Sequence, residues 1–342
     1  MTNQRPTRVL VVDDSAFARK VLRETLSVST DLEVVGVARD GLEALEKIAE
    51  LKPDVVTLDL IMPNLDGIGV LRALPAVGAP RVVVVSISDG NSVLGIEALQ
   101  MGAVDIVQKP TALATDRLYE MSAELVAKVI AAGASRPRLG EPPVAHPIQR
   151  RAAGRTRLVV IGASTGGPQA LTRLLTALPA DLPCGIAIAL HIPAGYTEAL
   201  ARRLDEASAV HVVEASDGAE LLPGQVMIAR GGTHLRLRAQ GSRFIAELDH
   251  APVGSGFCPS VDVLFQSAAE AAGAAVLGVV LTGMGNDGVE GARAIAQARG
   301  RTLTEAEESC VVYGMPRAVV EARLSAGEAP IEAMADRIVE SL

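Results

Sequence analysis

Leu158–Leu171 reads LVVIGASTGGPQAL. It opens on an apolar run, Leu158-Val159-Val160-Ile161, and closes on a helix-compatible segment. Between them stands Gly162-Ala163-Ser164-Thr165-Gly166-Gly167. That order predicts a buried strand, a tight glycine turn and a helix start. Ser164 then sits on the turn with its hydroxyl outward. The spacing Gly162-x-Ser164-x-Gly166 matches a nucleophile elbow, in which flanking glycines permit a sharp turn. A glycine-rich strand-to-helix turn that binds a dinucleotide is the competing reading. It lacks the second glycine of G-x-G-x-x-G, although Asp181 falls near the place of a ribose-binding acid.

The whole chain has 342 residues, enough for two domains with separate cores. Hydrophobic residues make up 49%, which excludes general disorder. Aromatics are 2% and tryptophan is absent, so the cores must be built from Ala, Val, Leu and Ile, and single-strand nucleic-acid stacking has few platforms. A net charge of −8 argues against a broad phosphate-binding surface, hence no nucleic-acid partner. Cys184, Cys258 and Cys310 are widely spaced, which suits neither a metal pair nor a disulfide framework. MTNQRPTRV lacks a signal-peptide core, and no apolar run approaches the ~18 residues of a spanning helix. A cytoplasmic monomer without membrane insertion is expected.

Residues 1–133 alternate strand and helix patterns. Strands are expected at Arg8–Val12, Leu32–Val37, Asp54–Leu58, Arg81–Ser86 and Val104–Val107, with helices at Ala16–Leu26, Gly41–Leu51, Ile68–Leu74, Ser92–Met101 and Asp116–Ala132. Five βα units imply a parallel, doubly wound α/β sheet. Ligands gather at the carboxyl edge of such sheets. Asp13, Asp14, Asp59, Ser86 and Lys109 all fall there. Clustered carboxylates repel unless a hard cation or a lysine neutralises them. A hydroxyl and an ammonium complete a place for a phosphoryl group on Asp59. Helix capping accounts for one or two of these residues, not for five at successive strand ends. Residues 134–156 then form a linker with Pro137, Pro142, Pro143 and Pro147 and five arginines, either a tether or a basic contact segment.

Residues 157–342 repeat the theme. Leu158–Ile161, Gly185–Leu190 and Ala274–Leu281 read as parallel strands, ending in Ser164, His191 and the run to Asp287. Val210–Glu214, Gln225–Ala229, His234–Arg238 and Arg243–Leu248 read as short strands, and Gly231-Gly232 and Gly241-Ser242 as hairpin turns, so a small antiparallel insert is expected. Ser260–Ala272 reads as a helix, another runs to Arg299, and two helical segments close the chain. Ser164, His191 and Asp287 should therefore meet along one edge. A serine needs a histidine to take its proton, and a carboxylate to fix the histidine tautomer. His146, His211, His234 and His250 lie elsewhere. Asp262 is the rival carboxylate, explained by capping of the helix it begins; the same capping reading applies to Asp287.

The first domain resembles the receiver domain of response regulators, through Asp13-Asp14, the TLDLIMPNLDG run around Asp59, Ser86 and Lys109-Pro110. The resemblance implies that Asp59 is the phosphoacceptor, that Asp14 and Asp59 hold Mg²⁺ with Asp13 acting through water, and that Ser86 and Lys109 bind the phosphoryl group. A chemotaxis histidine kinase would be the phosphodonor. The position three before the lysine, commonly an aromatic switch residue, is Ile106. The second domain resembles the catalytic domain of the chemotaxis protein-glutamate methylesterase (CheB) family, through IGASTGGPQAL, HIPAGYT, PSVDVLF, LTGMGNDG and ESCVVYGMPRAV. The resemblance implies a Rossmann-like esterase domain that needs no cofactor. Its triad would be Ser164, His191 and Asp287, and the backbone N–H groups of Thr165 and Met284 its oxyanion donors. The substrates would be methylated chemoreceptors, demethylated at glutamate and deamidated at glutamine, with the unphosphorylated receiver covering the catalytic edge. Gly254-Ser255-Gly256-Phe257-Cys258 stands where the family often has basic residues. A nucleotide-binding, non-hydrolytic output domain is the alternative; a transcriptional output would need a basic helix-turn-helix, and none is found.

Overall fold

Short apolar segments rich in Val, Ile and Leu, such as Val9–Val12, Val82–Val85 and Leu158–Ile161, set the central strands of this protein. A computed structural model describes residues 5–75, 77–86, 92–109, 115–135, 156–251 and 256–342. The linker core, residues 136–155, and His146 within it lie outside the described residues, as do residues 252–255. Two compact units result, Met1–Leu139 and Gly140–Leu342.

The first unit contains β1 (Thr7–Val12), α1 (Ala16–Leu26), β2 (Leu32–Ala38), α2 (Gly41–Leu51), β3 (Val55–Leu58), α3 (Gly67–Ala73), β4 (Arg81–Ser86), α4 (Ser92–Gln100), β5 (Asp105–Gln108) and α5 (Thr115–Ala134). Its five strands are ordered β2-β1-β3-β4-β5 and all pair in parallel. The winding direction reverses between β1 and β3, which opens a crevice at their carboxyl ends. Val12 pairs with Leu58, so Asp13 and Asp59 emerge side by side. Ser86 pairs with Gln108, which places Lys109 beside them. Ile106 is buried in β5, and its carbonyl accepts a hydrogen bond from the buried Lys128 of α5 (2.8 Å).

The second unit contains β6 (Leu158–Ala163), α6 (Gly167–Ala177), β7 (Gly185–Leu190), α7 (Thr197–Ala207), β8 (His211–Glu214), β9 (Glu220–Leu221), β10 (Gln225–Ile228), β11 (His234–Gln240), β12 (Arg243–Asp249), α8 (Val261–Ala272), a 3₁₀ turn at Gly273–Ala275, β13 (Val276–Val280), α9 (Val289–Gln297), β14 (Arg301–Glu305), α10 (Met315–Glu321), β15 (Gly327–Ala329) and α11 (Ile331–Val339). Seven strands form one parallel sheet, β15-β14-β13-β6-β7-β10-β8. From β6 the chain winds outward through β7, then returns to β13 and winds the other way. The switch point thus lies between β6 and β13. Apart from Tyr196 and Phe265 its largest fully buried side chains are Leu and Ile, as the scarcity of aromatics requires.

Several expectations need correction. Val210–Glu214 and Gln225–Ala229 do not belong to an antiparallel insert; β8 and β10 extend the parallel sheet. The small antiparallel sheet is β11-β12-β9. Gly241-Ser242 turns its β11–β12 hairpin, with Gly241 at φ +63°. Gly231-Gly232 instead joins two different sheets, and a Cβ on Gly231 would lie 2.9 Å from Pro193 O. The close of the chain is not wholly helical, because β14 and β15 add two strands. All three cysteines are free.

Candidate active site

The turn after β6 is sharp because of its glycines, but the left-handed residue is Gly166 (φ +77°), not Ser164. A Cβ on Gly166 would lie 2.6 Å from the Val311 side chain, and one on Gly162 would lie 2.3 Å from Val261 of α8. The strained serine of an elbow is therefore not found, and the glycines serve close packing. Nor does Ser164 point outward. Only 5% of it is exposed, because the loop after β13 lies against it: a Cβ on Gly283 would come within 2.7 Å of Ser164 Cβ.

Ala163 pairs with Leu190, so Ser164 and His191 leave neighbouring strands at the same level. His191 Nε2 lies 2.8 Å from Asp287 Oδ2. Asp287 also accepts hydrogen bonds from Val261 N–H (2.8 Å), Asp262 N–H (2.9 Å) and the Ser260 hydroxyl (3.0 Å). Burial alone would raise the Asp287 carboxyl, but the His191 hydrogen bond and charge and the two backbone donors hold it below its ordinary 3.8. An ionised Asp287 can only accept, so Nε2–H donates to it, which leaves Nδ1 with the lone pair. That Nδ1 is buried and unpartnered among the described residues. No hydrogen bond joins Ser164 Oγ to His191 among the described residues.

The capping readings were aimed at the wrong helices. Asp287 does not cap α9, which it precedes; it caps α8 through the N–H groups of Val261 and Asp262. Asp262 in turn caps α9, accepting from Gly288 N–H (2.8 Å) and Gly291 N–H (2.7 Å). The two helices exchange carboxylates, each supplying the unsatisfied donors of the other. Asp262 differs electrostatically from its neighbour. Burial is the larger influence and pushes its carboxyl up to about 6, aided by the Asp287 charge and opposed by the two amides. His234 lies in the β11–β12 hairpin and is buried, and its Nδ1 accepts from Ser260 N–H (3.1 Å). Burial lowers its pKa. His211 is exposed and pairs with Asp205, and His250 is exposed in a loop.

Thr282 ties the remaining loops together. Its hydroxyl donates to Thr165 C=O (3.0 Å) and accepts from Val312 N–H (3.0 Å). Its own N–H donates to Glu305 Oε2 (2.8 Å) of β14. Gly283 C=O accepts from Met315 N–H (2.8 Å). Thr165 and half-buried Met284 are thereby brought to the same edge as Ser164. Sequence reading missed Thr282, Glu305, Ser260 and Phe257. Thr282 and Ser260 lie within the quoted LTGMGNDG and PSVDVLF runs, a signal left unused. Phe257 lies flat on His191, with ring centroids 4.1 Å apart and planes at 7°.

In the first unit Asp13, Asp14 and Asp59 each offer one carboxylate oxygen, all within 4.8 Å of one another. Asp13 and Asp59 are buried and Asp14 is exposed. Lys109 Nζ lies 2.7 Å from Asp59 Oδ2 and 2.5 Å from Asp13 Oδ2, the latter a close ion pair rather than a well-aligned hydrogen bond. Burial raises the Asp59 carboxyl, with Lys109 opposing and Asp13 assisting. Burial would lower the Lys109 ammonium, but the two carboxylates hold it above 10.5. Ser86 Oγ is buried without a partner among the described residues. Three converging carboxylates, an all-oxygen donor set, fit a hard divalent cation such as Mg²⁺.

Residues 159–338 match the CheB methylesterase family model, and residues 9–121 match the response regulator receiver domain model. The chain is 61% identical over 341 residues to protein-glutamate methylesterase/protein-glutamine glutaminase 5 of Myxococcus xanthus, covering 98% of this chain and 97% of that protein. It is 40% identical to the protein of the same description from Thermotoga maritima, covering 98% of each. The crystal structure of the Thermotoga maritima CheB methylesterase catalytic domain is similar at 38% identity and a TM-score of 0.54, covering 56% of this chain and 100% of that one. The two doubly wound units are thus matched by these relatives over nearly their whole length, and the chain belongs to the protein-glutamate methylesterase/protein-glutamine glutaminase (CheB) family.

Proposed function

We propose that this protein removes methyl groups from glutamate side chains of methyl-accepting chemoreceptors, deamidates glutamines at such sites, and does so under control of phosphorylation at Asp59. The observation that carries the esterase reading is His191: Asp287 holds Nε2, while Nδ1 is left unpaired at the strand end next to Ser164. In this reading the base is Nδ1, so the ring nitrogens exchange the roles they have in the serine-protease triad. Ser164 Oγ attacks the γ-carbonyl as Nδ1 takes its proton, and Asp287 stabilises the imidazolium. The Thr165 and Met284 N–H groups receive the oxyanion, each donor contributing ~10²–10³ in rate. Nδ1–H gives the proton to the leaving methoxide oxygen, or to the amide nitrogen of a glutamine, so that methanol or ammonia departs. Water, its proton taken by Nδ1, then attacks the acyl carbonyl, and Ser164 Oγ leaves with that proton to give glutamate. The serine must turn toward the ring when substrate binds, as hydrogen bonds in free enzymes often tighten only in the complex.

At the other switch point Asp59 accepts the phosphoryl group from a histidine kinase. Asp14 and Asp59 would hold Mg²⁺, with Asp13 acting through water; when bound, the ion neutralises charge on the phosphoryl oxygens. Lys109 pairs with that charge and the unpartnered Ser86 hydroxyl donates to it. Phosphorylation favours whichever state of the chain binds it better. Methanol release from methylated receptor membranes, with and without a small-molecule phosphodonor, tests both halves. Asp59→Ala should leave basal release within about twofold of wild type and abolish the phosphodonor response. A full response in Asp59→Ala refutes the phosphoacceptor assignment. If the receiver restrains the esterase, deleting residues 1–133 raises basal release above that of the unphosphorylated full chain; a truncated protein no faster than it removes that part. Labelling of Ser164 by a fluorophosphonate separates the esterase from a nucleotide-binding module, whose serine would not be activated.

A further inference from the structure

We propose that Phe257 is a positioning residue for the base, holding the His191 ring so that Nδ1 faces Ser164 and favouring the imidazolium formed when the proton is transferred. The proposal rests on the reading of His191 as the base. One hydrogen bond, Nε2 to Asp287, anchors a single corner of the imidazole. The ring can still swing about that anchor, which would carry Nδ1 away from the serine. A flat aromatic surface 4.1 Å from its centroid and 7° from its plane removes that freedom. It also covers one face of a side chain that is only 6% exposed.

The same contact responds to charge. Two neutral rings gain least when they lie face to face, because their quadrupoles repel. A cation over the face of a phenyl ring is attracted by that quadrupole. The stack is therefore stronger against imidazolium than against imidazole. An interaction that strengthens as charge develops lowers the barrier instead of merely tightening substrate binding. Asp287 stabilises the imidazolium through its edge; Phe257 does so through its face. Phe257 stands two residues before Pro259 and four before the start of α8, whose first turn also carries the donors to Asp287, so face and edge of the imidazole are held by one stretch of chain.

The test uses the full-length protein with Phe257→Leu, Phe257→Ala, Phe257→Tyr and His191→Ala. Two rates are measured: fluorophosphonate labelling of Ser164, which needs no receptor, and steady-state methanol release from methylated receptor membranes. Leu and Ala should slow labelling and lower kcat about tenfold (~1.4 kcal/mol), with KM within about twofold of wild type. Tyr, which keeps the ring, should restore both rates to within about twofold. Leu at the wild-type rate would mean that only volume matters, and a loss confined to KM would make Phe257 a receptor contact; either overturns the proposal. Since Leu and Tyr both conserve bulk, a Leu protein that melts as wild type yet labels slowly excludes misfolding as the cause. His191→Ala serves as the separate check: normal labelling in that variant would refute the base assignment itself, whatever Phe257 does.

Discussion

Ser164→Ala lowers methanol release from methylated receptor membranes by ~10⁵–10⁶, the loss seen when a triad nucleophile is deleted. In the proposed mechanism the substitution removes the atom that would bond to the γ-carbonyl and leaves the rest of the edge in place. Ser164 Oγ makes no hydrogen bond among the described residues, and Cβ, which packs near Gly283, is retained. Unfolding midpoints should therefore match wild type. Fluorophosphonate labelling should vanish together with turnover. Release above about a hundredth of the wild-type rate would mean that another group attacks the ester, and the assignment of Ser164 would fail.

Asp287→Ala costs nearly as much activity and, unlike Ser164→Ala, also costs stability. Losing the carboxylate of a triad lowers kcat by ~10⁴, because nothing then fixes the histidine tautomer or offsets its charge. The same change leaves the Val261 and Asp262 N–H groups and the Ser260 hydroxyl without their acceptor at the start of α8. Orphaned buried donors of this kind cost ~1–3 kcal/mol each before relaxation, so a net loss of about 2–4 kcal/mol is expected in the unfolding of the second unit. Asp287→Asn keeps the shape but turns one acceptor oxygen into an amide donor facing other donors. It should show the same catalytic defect and a smaller loss of stability.

The pH dependence follows from the sign of the shift. The folded-state carboxyl of Asp287 titrates below its ordinary 3.8. Its contribution to stability is thus full above about pH 4 and is lost as pH falls through the lowered folded value. Asp287→Asn should lose that part of the acid sensitivity. Asp262 acts in the opposite sense. With its carboxyl raised to about 6, ionising it costs stability as pH climbs from about 4 through 6. Unfolding measured across that range in Asp262→Asn should show the upper slope flattened.

Much of this was readable in the chain itself. Strands buried on both faces show as unbroken apolar runs, and residues that carry chemistry follow them directly. Ser164, His191, Asp13, Asp59 and Lys109 could therefore be placed at edges before any coordinates. β14 escaped because Arg301-Thr302-Leu303-Thr304-Glu305 alternates polar and apolar residues and ends on a buried glutamate, the opposite of a core signature. β8 and β10 were seen as strands but given to the wrong sheet, since a short strand does not announce its partner. Gly231-Gly232 misled for the same reason: it looks like a hairpin turn, yet its glycines admit the backbone at Pro193 and Ala194. The capping exchange between Asp262 and Asp287 is a tertiary event. Each aspartate looks local in sequence and acts on a helix that lies elsewhere in it. Phe257 on His191 has no periodic or spacing signal at all.

The exchange of carboxylates between α8 and α9 has a consequence for how this fold can decay. Ser164 can be lost by drift without harm to folding, whereas Asp287 holds up the helix across from it. Descendants that have given up hydrolysis, and survive only as phosphorylation-responsive binding proteins, should have replaced the serine while still carrying the aspartate. In such a lineage the retained aspartate would be a mark of architecture and no longer a sign of catalysis.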